Sequence, residues 1–343
     1  MTDEKHISGI HHITAIASAA AENRHFYESI LGLRLVKQTV NFDDPFTYHL
    51  YYGDAQGTPG TILTFFPWED LPQGRPGAGM VTAISFAVPD RSIDFWNQRL
   101  RDNGVSTKMD ERFSDPVIRL TDPHGLAIEL TGTRGHPSTV HWKDGPVSEP
   151  NAIMGFHSAT ATVTAFEKNQ ALLTKSMGLR LQDQANRRYR FKFADPATPG
   201  QYYDLVVDPK AAPGRPGGGT VHHVAFRTAN DDTQAGWQSA LRADGFTPTP
   251  VRDRKYFRSI YFNAPEGVLF EIATDPPGFT VDEASDQLGA SLMLPDRLES
   301  RRADIEKRLP SLRLSSYEHV YQKPGDGYDD DHTLVTLHGT GGN

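Results

Sequence analysis

The sequence predicts an α+β protein of four βαβββ modules that form two open, barrel-like mixed sheets. Three observations predict it. One order of segments recurs four times along the 343 residues: a strand-like run, a helix-like run that stops at a glycine, then extended runs. Apolar residues in the helix-like runs are spaced by three and four, and the extended runs alternate or are rich in β-branched and aromatic residues. The first and fourth modules carry a matched His-His pair in the same opening strand. Modules 1 and 4 should therefore pair in one sheet, leaving modules 2 and 3 to pair in the other.

Module 1 covers 9–66. Its opening strand holds His11-His12, its helix runs through Phe26, Tyr27 and Ile30 to Gly32, and its strands are 33–36, 48–52 and 61–66. Module 2 covers 79–131, with strand 81–88, a helix through Phe95, Trp96 and Leu100 to Gly104, and strands 117–120 and 126–130. Module 3 covers 153–207, with strand 156–163, a helix through Leu172, Leu173 and Met177 to Gly178, and strands 188–193 and 203–207. Module 4 covers 219–274, with strand 221–226, a helix through Trp237 and Leu241 to Gly245, and strands 258–262 and 268–272. The glycines are helix stops. Linkers 67–79 and 209–219 are rich in Pro and Gly. A longer connection, 134–150, separates an N-terminal pair of modules (7–135) from a C-terminal pair (151–276).

A third segment, 277–343, follows the modules. It opens with an expected helix at 292–309 and a Pro/Gly/Asp-rich loop at 324–331. The last residues, His332 to Asn343, read as an apolar strand running into His-Gly-Thr-Gly-Gly. That resembles the first core strand and oxyanion loop of an α/β-hydrolase. It is either the start of a fused domain or a Gly-rich disordered tail.

Composition bounds the function. The chain is 37% hydrophobic with 30 glycines and can bury a sizeable core. Its longest apolar runs, such as 61–66, fall far short of the roughly 20 residues of a membrane span. The first ten residues are polar and lack a signal-peptide core, so a cytoplasmic location is expected. The absence of cysteine excludes thiolate sites, disulfides and cysteine nucleophiles. A net charge of −8 without a long basic run argues against nucleic acid and anionic membranes. Fourteen histidines remain as the chemical resource.

The repeat aligns His12 with the second histidine of the other pair, His223. A single buried histidine is usually structural, but a pair recurring at one repeat position points to a site. The closing strands supply a carboxylate: Gly267-Val-Leu-Phe-Glu271 matches Gly125-Leu-Ala-Ile-Glu129. A glutamate within Val-Leu-Phe-Glu-Ile is costly to bury unless paired or bound to metal. Two imidazoles and one carboxylate make the facial triad of a non-haem Fe(II) site, and Mn(II) suits the same donors. The other modules lack the set. Ala83 stands in place of His223, and Ser158 in place of His12, while Glu129 and Asp204 remain. Thr64 occupies the position of Glu271 in module 1, which gives three ligands rather than four.

Over 7–310 the sequence resembles the vicinal oxygen chelate superfamily, the glyoxalase and extradiol dioxygenase fold. Within it, Gly9-Ile-His-His-Ile-Thr-Ala, Gly219-Thr-Val-His-His-Val-Ala-Phe and Tyr261-Phe…Glu271 resemble the ring-cleaving dioxygenases that act on hydroquinones. The resemblance implies Fe(II) held by His12, His223 and Glu271, with His11 and His222 as a supporting pair. It implies Thr14, Arg254 and Tyr261 as substrate-pocket groups. Thr14 lies two residues beyond His12 on the same strand face. Tyr261 could orient a hydroxyl, and Arg254 could stabilise developing negative charge, although its charged run reads as surface. Strict alternation would place the two members of each histidine pair on opposite faces, so His11 and His222 need a bulged or twisted strand to reach the site. His222 or His11 is the expected proton-transfer group, since imidazole ordinarily titrates near neutrality.

The implied reaction is O2-dependent opening of a para-diol ring beside a hydroxyl-bearing carbon, by a possible homodimer. Catechol-type extradiol cleavage uses the same triad. A glyoxalase-like lyase or isomerase would want a fourth protein ligand where Thr64 stands. A non-enzymatic binding protein would not need the histidine pairs.

Overall fold

The computed structural model describes residues 7–135, 139–195 and 199–314. The hydrolase-like end at 332–343 and the 324–331 loop lie outside the described residues.

Sixteen strands form four modules of four. Module 1 holds β1 (Ile10–Ala17), β2 (Arg34–Val40), β3 (Tyr48–Gly53) and β4 (Ile62–Pro67). Module 2 holds β5 (Met80–Pro89), β6 (Lys108–Arg112), β7 (Asp115–Thr121) and β8 (Ala127–Thr133). Module 3 holds β9 (Phe156–Val163), β10 (Arg180–Ala185), β11 (Arg188–Lys192) and β12 (Tyr202–Val207). Module 4 holds β13 (Thr220–Thr228), β14 (Arg252–Asp253), β15 (Arg258–Asn263) and β16 (Leu269–Thr274). Each first strand is followed by a helix: α1 (Ala20–Arg24), α2 (Ile93–Asp102), α3 (Glu167–Ala171) and α4 (Asp231–Ala243). Helices α1 and α3 continue as π-helical turns, His25–Ile30 and Leu172–Ser176.

Two eight-stranded sheets result. The first has the order β14-β15-β16-β13-β1-β4-β3-β2, and the second β10-β11-β12-β9-β5-β8-β7-β6. Modules 1 and 4 therefore meet through antiparallel β1–β13, and modules 2 and 3 through antiparallel β5–β9. This is the pairing that the histidines predicted.

Alternation assigns the faces. In β16, Phe270 and Ile272 join the main apolar core that also takes in Phe26, Trp96, Leu172 and Trp237 from the helical runs. Glu271 between them turns to the opposite, concave face. The β1–β13 junction departs from alternation twice. β1 carries one extra residue between Ile10 and His12, and β13 one between Val221 and His223. The extra residues are His11 and His222. A β-bulge re-aims side chains in this way, which lets both members of each pair serve one site.

The linkers 67–79 and 209–219 bridge to each other at Gln73–Gly218, Arg75–Arg215 and Ala78–Pro213. Gly219, with φ +75°, opens β13 where a Cβ would sit 2.0 Å from the His124 carbonyl oxygen. Only glycine permits that approach, so the strand with His222 and His223 starts from a fixed point.

The single helix expected at 292–309 is two short ones, α5 (Asp296–Glu299) and α6 (Arg302–Arg308). Pro295 begins the first, because proline suits a helix start and not a helix interior. The segment before them is pinned beneath the first sheet. Lys37, fully buried in β2, donates to Asp282 (2.6 Å), to Glu283 and to the Phe279 carbonyl (3.2 Å). Among the described residues no helix is long and apolar enough to cross a membrane.

Candidate metal centre

His12, His223 and Glu271 converge on the concave face of the first sheet. His223 Nε2 lies 2.9 Å from Glu271 Oε2, His12 Nε2 lies 3.4 Å from the same oxygen, and the two Nε2 atoms are 3.4 Å apart. All three residues are buried, and no other group of three or more such donors occurs among the described residues. Glu271 Oε2 is buried without a hydrogen-bond partner of acceptable geometry. A carboxylate oxygen so placed wants a cation. Donor atoms at these separations are those of neighbouring ligands about 2.1 Å from one shared ion. The residues present therefore fit a divalent metal.

The histidine pairs fix the tautomers. His11 Nδ1 lies 2.9 Å from His12 Nδ1, and His222 Nδ1 lies 2.7 Å from His223 Nδ1. For His12 and His223 to offer an Nε2 lone pair, each must carry its proton on Nδ1 and donate it to its neighbour. With a metal bound, His11 and His222 would orient its ligands, as outer partners of metal-binding histidines do. Phe257 packs against the rings of both His12 (4.7 Å) and His11 (5.1 Å). Ser259 Oγ donates to Glu271 Oε1.

The electrostatics agree. Burial pushes the Glu271 carboxyl upward, but His12 and His223 outweigh it and hold the group well below the usual carboxylate range. Burial lowers His223, lowers His222 to about 4 and holds His11 well below the ordinary imidazole value. The site thus sets one ionised carboxylate beside His11, His222 and His223, whose lowered proton affinity favours the neutral imidazole. His222 lines the substrate-sized cavity, whereas His11 lies beneath it and is not part of its wall.

That cavity, about 270 Å³, opens over the cluster. Phe42, Phe66, Trp68 and Phe257 give it aromatic walls, and Thr14, Arg254 and Tyr261 all reach it. Arg254 is not a surface residue: its Nε donates to Tyr261 Oη at 3.2 Å. Arg254 turns inward, while Val251, Arg252 and Asp253 of the same run stay exposed, because the residues that follow it are anchored. Lys255 pairs with Asp282 Oδ2 at 2.9 Å, Tyr256 Oη donates to the same oxygen at 3.0 Å, and Phe257 is buried.

His49 and Tyr51 also line the cavity, and neither stood out in the sequence. The alternation in Tyr48-His-Leu-Tyr-Tyr places both on one face. The module alignment makes Tyr51, opposite Thr64, the counterpart of Tyr261, opposite Glu271.

The second sheet keeps the frame and changes the chemistry. Its bulges fall at Thr82 and His157, the counterparts of His222 and His11. Asp204 accepts from Arg190 Nε (3.0 Å) and Nη2 (2.9 Å) and from Arg188 Nη1 (3.1 Å), and Glu129 accepts from Arg112 Nη2 (3.3 Å). A wider hollow of about 860 Å³ lies on this sheet, lined in part by Asp115, His157 and Tyr202. It contains no such donor group among the described residues.

One pH dependence follows. Burial lowers His157 to about 3 and His49 well below its ordinary value, alongside His11, His222 and His223. The unfolded chain takes up these protons near pH 6.5, while the folded chain resists them. Stability is present above that value and is lost as pH falls below it. The urea midpoint of metal-free protein should be lower at pH 5.5 than at pH 7.5. Equal midpoints would show that these histidines titrate freely.

Fold and site together define a protein of the paired-βαβββ class with a donor set that fits a divalent metal. The chain belongs to the Glyoxalase/Bleomycin resistance protein/Dioxygenase superfamily, whose profile matches residues 9–130 and 155–281. This is the superfamily that the histidine and glutamate motifs resembled. The chain is 45% identical over 306 residues to MhqO of Bacillus subtilis (strain 168), covering 89% of this chain and 96% of that protein. MhqO carries the name of a ring-cleaving dioxygenase whose substrate the name does not give. Over 306 residues the chain is 32% identical to the chlorohydroquinone/hydroquinone 1,2-dioxygenase of Sphingobium indicum, covering 87% and 95% of the two chains. A crystal structure titled as a dioxygenase from Bacillus subtilis subsp. subtilis str. 168 superposes with a TM-score of 0.86 at 44% identity, covering 90% of this chain and 99% of that one. Glyoxalase I from Zea mays, at 13% identity and a TM-score of 0.58, shares the fold over 78% of this chain and 92% of that one.

Proposed function

We propose that the protein is an Fe(II)-dependent dioxygenase that opens the ring of a para-diol. The observation that carries the reading is the His12, His223 and Glu271 donor set beneath a small aromatic-walled cavity. A cavity of about 270 Å³ sits just below the roughly 300–1,000 Å³ of drug-sized pockets and suits one substituted benzene ring. The relatives named for ring cleavage, one of them for hydroquinones, support the same class.

His12, His223 and Glu271 would hold the metal, with Mn(II) an admissible alternative ion. Bound there, the ion supplies Lewis acidity and a template that brings substrate and O2 together. The chain's own residues do the rest. Phe66, Trp68 and Phe257 shelter the ring from water. Arg254 and Tyr261 stand at the cavity as a guanidinium–phenol pair able to steady negative charge on a substrate oxygen. With Nδ1 accepting from His223, a neutral His222 would carry its one proton on Nε2 and face the cavity as a hydrogen-bond donor to a substrate oxygen, not as the base expected from the sequence; His11, accepting from His12 in the same way, lies outside the cavity wall. Thr64, where a fourth protein ligand would stand, weighs against a lyase or isomerase.

The test is O2 uptake by protein reconstituted anaerobically with Fe(II), given hydroquinone, methylhydroquinone, chlorohydroquinone and catechol in turn. One O2 per para-diol with a new ring-opened chromophore is the expected result. Uptake with catechol alone would move the assignment to extradiol cleavage, and no uptake in metal-replete protein would overturn it.

A further inference from the structure

The first sheet is pseudo-symmetric about the β1–β13 junction, and the two sides of the symmetry do different things. On one side Tyr261, Glu271, Ala225 and His12 lie in one cross-strand row. On the other, Tyr51, Thr64, Thr14 and His223 form the matching row. Thr64 thus takes the place of Glu271, and His49 the place of Ser259, one pleat along. Ser259 holds the carboxylate; His49 holds Thr64.

The second row is a hydrogen-bonded chain. Thr64 Oγ1 donates to Thr14 Oγ1 at 2.9 Å. His49 Nε2 lies 2.9 Å from Thr64 Oγ1, and Tyr51 Oη lies 2.9 Å from His49 Nδ1. A hydroxyl has one proton, and that of Thr64 is committed to Thr14. His49 must then donate Nε2–H to Thr64 and accept the Tyr51 hydroxyl at Nδ1. The ring is clamped in that state by Tyr51 at 4.1 Å and Phe66 at 4.3 Å between centroids. Burial holds its proton affinity well below that of free imidazole; of the charged and titratable groups around it, His12, His223 and Arg254 act in the same direction and Glu271 opposes them. Every donor in the chain points the same way, toward Thr14. The Thr14 hydroxyl donates to no other described residue and lines the cavity beside His223. Aligned hydrogen bonds polarise one another, so the last donor is the strongest.

We propose that His49 is a positioning residue which, through Thr64, sets Thr14 as a hydrogen-bond donor to an anionic phenolate oxygen of the substrate. The proposal rests on the para-diol reading and deepens it: the cavity selects an aromatic diol that has lost one proton. The counterpart of Glu271 is thus a hydroxyl that donates, where a second carboxylate would repel the phenolate.

The test uses nitrohydroquinone, whose visible absorption reports its ionisation, bound to Fe(II)-loaded protein without oxygen. Wild-type protein should lower the pKa of the bound probe below that of the free one. T64V and H49F should raise the bound pKa by about one unit, tenfold in the ionisation constant, with metal content unchanged. H49Q, whose amide can donate to Thr64, should restore most of the shift. An unchanged bound pKa in T64V and H49F would overturn the proposal and leave ring cleavage standing. Wild-type protein that binds no nitrohydroquinone would overturn the para-diol reading and this one with it.

Discussion

Glu271→Ala should empty the metal centre and reduce turnover by at least about 10³-fold, the scale of several kcal/mol of lost metal assistance. Glu271 is fully buried and supplies the only carboxylate of the donor set. Without it, two neutral imidazoles remain, and neutral ligands alone hold a divalent ion poorly in a dry site. The fold should survive, because the alanine removes a buried charge that no hydrogen bond satisfies at Oε2. Ser259 loses its acceptor, a loss of about 1 kcal/mol. Glu129→Ala is the matched control: it occupies the same closing-strand position in the second sheet, opposite Arg119 rather than a tyrosine. Metal content by elemental analysis and O2 uptake with hydroquinone should drop only in the first variant. If Glu129→Ala were the one to empty the protein, the metal would belong to the other sheet.

The triad was legible because Glu271 interrupts an apolar strand and because the repeat aligned His12 with His223. The pairing of modules followed from the need for those histidines to meet. What escaped was set by contacts between strands distant in sequence. β6 reads Lys-Met-Asp-Glu-Arg and β10 reads Arg-Leu-Gln-Asp-Gln-Ala, both at sheet edges and largely exposed. Neither strand has an apolar face, so neither shows a period. The bulges at His11 and His222 are properties of the β1–β13 register, which no single strand displays. Arg254 looked like surface because its burial depends on Asp282 holding Lys255 and Tyr256. His49 looked like one more aromatic in a hydrophobic strand until β3 and β4 were paired.

Asp204→Ala should be among the most destabilising single changes in the second sheet, at roughly 3–5 kcal/mol, because it strips the partner from buried cations. Asp204 is fully buried and accepts from three guanidinium nitrogens of Arg188 and Arg190, both of which are buried. Burial pushes its carboxyl upward, and the two arginines more than reverse that. Arg188 would keep its bond to Thr160 Oγ1 at 2.9 Å, but Arg190 would lose its bidentate acceptor and be left with Asp115 at 3.5 Å and the faces of Phe113 and Tyr202. Urea unfolding of the wild type and the variant reads the difference. The double variant D204L/R190L should recover part of the loss, since replacing buried ions with apolar groups is far cheaper than orphaning one of them. Metal content and O2 uptake at low temperature should hold in both variants, because the metal donors sit on the other sheet. A loss below about 1 kcal/mol for Asp204→Ala would mean that water reaches the arginines. The expected result would mean instead that a guanidinium pair neutralises a closing-strand carboxylate in one sheet, as a metal ion would neutralise Glu271 in the other.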